Sequence, residues 1–297
     1  MRSDSMGRRD FLVRTASVAA GAAAVGAAGS VRAAESPTNG LKKAAQWGMM
    51  PGNLSDEEKC KLAKKCGFEG FEGSPANDLD AAKRLGDIAR EAGVPFHSIC
   101  YGGWDAPFSS PDPAVIDKGL KGMENALRTA KAFGADTVLL VPAVVTPEVR
   151  YAEAYERSQQ HIPKLLPLAE ELGVVIAVEN VWNKFLLSPL EFAQYVDEFN
   201  SPWLKAYFDV GNVLLFGYPQ DWIRTLGNRI AKIHLKDFKC KEYQFCAIRE
   251  GDVNWPEVRQ ALAEAGYSGY MTTEVGGGDE AYLTDLAGRL DKIIAGE

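Results

Sequence analysis

Histidine is scarce in this chain: three in 297 residues, at positions 97, 161 and 234. A centre of several metals held mostly by imidazoles cannot be assembled from so few. Positive charge is also short. Lys and Arg number 33 against 40 Asp and Glu, a net charge of −7, whereas a nucleic-acid binder usually carries a basic face. The five cysteines (60, 66, 100, 240 and 246) are an odd number, so at least one is unpaired. Cys60 and Cys66 fall on a predicted helix at a spacing that matches no zinc site. Cys240 and Cys246 are close enough in sequence to pair in an oxidising compartment, although buried or inert thiols are the simpler reading for all five. A glycine-rich phosphate turn is missing as well. The first predicted strand leads into "PGNLSDEE", which argues against a doubly wound nucleotide-binding sheet.

A long hydrophobic run is absent too. The N-terminal stretch is Ala/Gly-rich and too short to span a bilayer well, so no stable membrane anchor is expected. It begins with the pair Arg8-Arg9, followed by Phe11 and Leu12, and ends in a small-residue site around Val31-Arg32-Ala33. This resembles a twin-arginine export signal over residues 1–33, with cleavage after Ala33. Export by that route to the periplasm, or another extracytoplasmic space, is the expectation. The route is understood to carry folded proteins, which suits a chain that acquires a cofactor first. Loss of residues 1–33 would leave the mature chain at about −10.

Residues 34–43, "AESPTNGLKK", read as a linker. Beyond them, over 44–297, short apolar runs alternate with amphipathic stretches. Strands are predicted at 44–50, 67–73, 95–101, 136–143, 174–180, 204–210, 229–237 and 269–275. Helices are predicted at 55–66, 79–92, 112–133, 153–172, 188–198, 219–227, 254–265 and 279–295. Ser55 and Ser188 are good helix caps, and Gly67, Gly93, Gly134, Gly173 and Gly266 each close a helix before the next strand. Eight strand–helix pairs over about 255 residues make an α/β fold, a single (β/α)8 TIM barrel forming one catalytic domain.

In such a barrel, functional groups gather at the C-terminal ends of the strands. Here those ends are acidic. "VVIAVEN" ends at Glu179 and Asn180, and an ionised carboxylate closing an apolar strand is costly unless it is paired. "KAYFDVGN" ends at Asp209, "KIHLKD" carries His234, and "MTTEV" ends at Glu274. One acidic strand end is usually a helix cap or an ion-pair partner. Four such positions on four consecutive strands point to a metal site. Three carboxylates and one imidazole suit Mn2+, Co2+ or Mg2+ better than a structural zinc.

"VEN", "FDVGN", "IHLKD" and "TTEV" together resemble the xylose isomerase-like TIM-barrel superfamily over roughly residues 44–295. That superfamily includes ketose 3-epimerases, hydroxypyruvate isomerase, inosose dehydratase and sugar-phosphate isomerases. The resemblance implies a divalent-metal-dependent isomerase or epimerase acting on a ketose or keto-sugar by proton transfer through a cis-enediolate. Glu179 and Glu274 would bind metal and act as general base and acid on opposite faces of the substrate carbon. Asp209 and His234 would complete the metal shell. A small-molecule sugar partner is implied, and relatives are often dimers or tetramers, so a homo-oligomer is expected on resemblance alone.

Many ketose 3-epimerases carry a histidine where this chain has Asn212, so substrate choice shifts. Lys236 lies two residues beyond His234 on the same side of its strand, placed to bind substrate or assist proton transfer, or else to form a rim ion pair. His97 and Glu72, read as the ends of strands three and two, are further substrate-binding candidates. Trp47, Trp104 and Trp182 are candidates to stack on a sugar face, though large aromatics more often only pack. His161 falls mid-helix, outside the site. "VGGGDE" at 275–280 occupies a position where barrels bind phosphate, but a flexible turn is preferred, and export argues against a phosphorylated substrate. The competing chemistry is a dehydratase or lyase acting on a keto-inositol or 3-keto-glycoside after the same enolisation. A non-catalytic sugar-binding protein is a weaker alternative. An apurinic endonuclease relative is disfavoured by the scarce histidine and the acidic charge.

Overall fold

The apolar runs become parallel strands buried on both faces, as βα repeats require. In the computed structural model, which describes residues 40–297, the strands are β1 (Leu41–Gln46), β2 (Gly70–Gly73), β3 (Phe96–Gly102), β4 (Thr137–Leu140), β5 (Val175–Glu179), β6 (Leu204–Asp209) and β7 (Ile230–Leu235). The ring is completed by β10 (Gly269–Thr273). It closes in the order β1-β10-β7-β6-β5-β4-β3-β2, with Leu41 opposite Gly269 and Ala45 opposite Thr273. The result is a single (β/α)8 barrel. The expected export signal at 1–33, and the linker as far as Asn39, lie outside the described residues.

Nine α-helices among the described residues surround the ring: α1 (Asp56–Cys66), α2 (Leu79–Glu91), α3 (Pro113–Phe133), α4 (Tyr151–His161), α5 (Leu166–Leu172), α6 (Pro189–Asp197), α7 (Pro219–Leu226), α8 (Trp255–Glu264) and α9 (Glu280–Ala295). Local chemistry sets their limits. At α1, Glu58 N–H donates to Ser55 Oγ (3.3 Å) and Ser55 N–H donates to Glu58 Oε2 (2.8 Å), a reciprocal cap. Gly67 then ends the helix at φ +98°, where a side chain would be strained. None of the described helices is long and apolar enough to cross a membrane.

Three expectations are corrected. The helix expected over 153–172 is interrupted by a 3-10 turn at Ile162–Lys164. Pro163 and Pro167 have no N–H to give an interior turn, so each sits in the first turn of a new segment. The linker does not reach residue 43, because Leu41–Lys43 already pair with Gly269–Met271, and Lys43 Nζ is held by Asp291 at 2.6 Å. The run at 229–237 also gives two elements. After β7 the chain forms an antiparallel hairpin of β8 (Asp237–Lys239) and β9 (Gln244–Cys246), which period-2 reading alone did not separate. Cys246 stands opposite Asp237 in that hairpin and Cys240 lies beyond its last pair, so the two thiols do not bridge; all five cysteines are free.

The core lies mainly between ring and helices, built from Phe68, Phe71, Phe96, Phe192, Phe208 and their neighbours. Inside the ring, Leu139, Val141, Ala177 and Tyr207 form a smaller apolar group. Above it the interior turns polar, and that change positions the site.

Candidate metal and acid–base site

Strand register brings the four acidic-set residues to one height. Asp209, the last residue of β6, stands opposite His234 on β7, and His234 stands opposite Thr272 on β10, two residues before Glu274. Glu179, the last residue of β5, is opposite Tyr207 on β6. One donor atom from each of Glu179, Asp209, His234 and Glu274 lies within 4.8 Å of all the others. Asp209 and His234 are fully buried, and the Glu274 side chain is 29% exposed, so Glu274 is the member open to the cleft.

The backbone around Asp209 is locked. Asn180 Nδ2 donates to the Asp209 carbonyl and Asp209 N–H donates back to Asn180 Oδ1, both at 2.9 Å. Asn212 N–H donates to Asp209 Oδ1 at 2.7 Å. Asp209 therefore presents Oδ2 inward, and that buried oxygen has no well-aligned donor. Lys236 Nζ lies 3.3 Å away as an ion-pair contact only. Glu274 Oε2 is in the same condition, with His234 Nδ1 and Lys236 Nζ each at 2.8 Å but neither aligned as a hydrogen bond. Glu179 Oε1 also lies 2.8 Å from His234 Nδ1, a nitrogen that carries at most one proton. Two carboxylates facing one nitrogen, with orphaned oxygens beside it, fit a divalent cation among these four donors.

The opposite face of the imidazole is also held. Glu72 Oε2 lies 2.8 Å from His234 Nε2, while Glu72 Oε1 accepts from Tyr207 Oη (2.7 Å) and Ser98 Oγ (2.8 Å). A carboxylate behind a ligating histidine fixes the ring and its tautomer. Glu72, expected to touch substrate, is fully buried beneath His234 instead. Glu72 is one residue from the end of β2, and its carboxylate faces the barrel interior against His234.

The charges separate the two glutamates. Burial pushes Glu179 up to about 7, helped by the Glu274 charge and opposed by His234. Burial acts the same way on Glu274, but His234 and then Lys236 more than offset it and hold Glu274 at about 2. Glu72 is likewise held at about 2 against its burial, mainly by His234. Burial would depress His234, yet the surrounding carboxylates, Glu72 foremost, hold it well above the ordinary histidine value. Lys236 is raised despite burial by Asp209, Glu179 and Glu274, so it stays cationic.

The other candidates separate clearly. Lys236 joins the site. Asn212 borders the cleft, but its Nδ2 is spent on the Asn180 carbonyl (3.0 Å) and its own carbonyl accepts from Trp182 Nε1 (2.9 Å). His97 does not end β3. It is the second residue of that strand, buried in the N-terminal half of the barrel, stacked on Tyr270 and hydrogen-bonded to Thr272 Oγ1 at 3.0 Å. The strand continues past it to Gly102, so the substrate-binding role is corrected to a packing one. His161 lies on α4 beside Lys164. Trp104 and Trp182 line the cleft, whereas Trp47 packs on Phe71 and Phe96. Above the four donors opens a cavity of about 330 Å³, walled by Trp104, Trp182, Tyr101, Phe245 and Lys236.

One structural anchor beside the site escaped sequence reading. Asp237 is fully buried, and its carboxylate accepts the N–H groups of Phe238, Arg249, Gly251 and Val253 and the Trp255 indole N–H, at 2.8–3.2 Å. Its donors run from the next residue to one eighteen positions on, so no local motif marks it.

Comparison with known proteins finds relatives across most of the chain. The chain is 30% identical over 245 residues, 75% of its length and 84% of the relative's, to SgbU of Escherichia coli K12, a candidate L-ribulose-5-phosphate 3-epimerase. It is 27% identical over 231 residues, 73% of its length and 81% of the relative's, to L-ribulose-5-phosphate 3-epimerase UlaE of Escherichia coli O1:K1. Solved structures share the fold at lower identity. One is 3-keto-D-glucoside 4-epimerase YcjR of E. coli (TM-score 0.72, 17% identity, 86% of this chain and 99% of that one). Another is D-allulose 3-epimerase of Methylomonas sp. bound to D-allulose (TM-score 0.71, 19% identity, 85% and 96%). Residues 60–293 match the family model described as xylose isomerase-like TIM barrel, and the chain belongs to that family.

Proposed function

We propose that this chain is a divalent-metal-dependent epimerase of a keto-sugar, with Glu179 and Glu274 as its proton-transferring pair. The observation that carries the reading is geometric: one donor atom from each of Glu179, Asp209, His234 and Glu274 lies within 4.8 Å of the others, with Glu179 buried and Glu274 open to the cleft. Burial pushes Glu179 up, while His234 and Lys236 hold Glu274 down against its burial, which suits opposite acid and base duties. They reach the centre from β5 and from the end of β10, with β6 and β7 between them in the ring. A substrate carbon held there has a carboxylate on either side. A bound Mn2+, Co2+ or Mg2+ would lower the cost of negative charge developing on the carbonyl oxygen. Epimerase relatives support this reaction class.

A second reading has one observation in its favour. Lys236 Nζ, 2.8 Å from Glu274, is a cation able to protonate a departing hydroxyl, which would turn enolisation into dehydration. The same experiment separates the two. Metal-loaded protein is incubated with keto-sugars in D2O. Deuterium next to the carbonyl in a product of unchanged mass, apart from the label, marks epimerisation; loss of water marks the lyase. Glu274→Gln and Glu179→Gln should each lower exchange by about 10²–10⁴-fold. Exchange that survives both substitutions would sink the assignment.

A further inference from the structure

The two proton-transferring glutamates differ in the space they reach. Glu179 borders the catalytic cleft, and its side chain is only 6% exposed. Glu274 borders the same cleft but also lines a second and larger cavity, about 690 Å³, which Glu179 does not touch. That cavity lies between the end of β1, the loop after β9 and the start of α9, where Gln46, Ala247, Gly276 and Asp285 are among its walls. It reaches bulk solvent, because Ala247 and Gly276 are exposed and the Asp285 side chain is 63% exposed.

The difference acts once substrate is bound. The cleft, about 330 Å³, is at the low end of the range for small-ligand pockets, so a sugar ring seated at the donors fills it and covers Glu179. Behind Glu179 there is only packed protein: its Oε1 meets His234 Nδ1 at 2.8 Å, on a side chain that is itself fully buried. A proton taken up there is screened from water for as long as the cleft is occupied. Glu274 keeps a second way out, because the larger cavity stays open on its other side.

We infer that the larger cavity is a water route to Glu274, so that with substrate bound Glu274 exchanges its proton with solvent while Glu179 keeps the one it takes. The inference rests on the epimerase reading and deepens it. In D2O the two directions of reaction then differ. When Glu274 abstracts the substrate proton, that proton leaves through the cavity as HDO and a deuteron takes its place on the carboxyl group. Return from Glu274 to the same face of the enediolate gives back substrate carrying a C–D bond. When Glu179 abstracts the proton, return to the same face restores the original C–H bond. In both directions, delivery from the opposite glutamate completes the epimer.

The test incubates the Mn2+-loaded full chain in D2O with each member of three epimeric pairs in turn: D-fructose and D-allulose, L-ribulose 5-phosphate and L-xylulose 5-phosphate, and a methyl 3-keto-hexopyranoside with its C-4 epimer. At low conversion the unreacted substrate is separated from product, and its deuterium content is read by mass spectrometry. In a pair that turns over, one epimer should be recovered labelled and the other at least fivefold less so. Gly276→Leu should lower that label at least fivefold relative to the product formed, because a Cβ at Gly276 meets no atom within 4 Å and leaves room for a side chain at the cavity wall. Ala247→Trp, at an exposed position on the same wall, should act alike. Equal label in both recovered epimers, label in neither, or a difference that both substitutions leave intact would overturn the water route and leave the epimerase reading standing. Failure to form an epimer in any of the pairs would overturn the epimerase reading, and this inference with it.

Discussion

At the scale of single residues, the decisive object is one imidazole between three carboxylates. Glu72 holds His234 from behind, and Glu179 and Glu274 face its other nitrogen. Glu72→Gln keeps the shape and removes the charge, so divalent-metal affinity should fall about 10–100-fold, read by calorimetric titration. Unchanged affinity would remove Glu72 from its supporting role. The proton on His234 also has a consequence. In the metal-free protein its imidazolium is stabilised well above the ordinary value, and Glu179 titrates near 7. A cation needs both groups deprotonated. Both groups are pushed toward their protonated forms, so binding must release protons and metal affinity should weaken as pH falls through about 7. Titrations in buffers of different ionisation enthalpy would count the protons, and a pH-independent constant would contradict the assignment.

At the scale of elements, Asp237 holds a segment rather than a ligand. Its five accepted hydrogen bonds tie the hairpin and the loop up to Trp255 to the end of β7. Gly251 is packed so tightly on it that a Cβ there would collide with the carboxylate. Asp237→Ala strands buried N–H groups and should cost about 3–5 kcal/mol in urea unfolding; a loss under about 1 kcal/mol would mean that the loop is held elsewhere. This hub also marks where sequence reading stops. Strand periodicity and glycine stops placed all eight barrel strands and nearly every helix, because each signal is local and repeats. The three acidic strand ends and His234 were legible for the same reason. What Glu72 touches, the far nitrogen of His234, is set by strands distant in sequence and no local run states it. His97 lies near the start of β3, as the strand run 95–101 already implied, so its place low in the barrel was legible. The Asp237 bonds depend on a fold that returns over many residues, beyond any window of the sequence.

At the scale of the whole molecule, metal and fold are linked. A cation that binds only the closed barrel stabilises it by about 2.7 kcal/mol at a hundredfold excess over Kd. For a domain of this size that should raise Tm by about 5–10 °C, reversed by chelation, in differential scanning calorimetry. A Tm indifferent to metal would argue that the four donors serve only one another. The ring itself adds a further point. It is joined by strands at opposite ends of the sequence, Leu41–Ala45 against Gly269–Thr273, and Glu274 comes one residue after the joining strand. Closure is thus among the most non-local events available to this chain, and barrel formation should be slow beside that of its helices. During synthesis, Glu179, Asp209 and His234 emerge well before Glu274. A partly made chain has no complete ligand set, so tight metal capture waits until the barrel is shut, and the bound ion becomes a record that folding has finished.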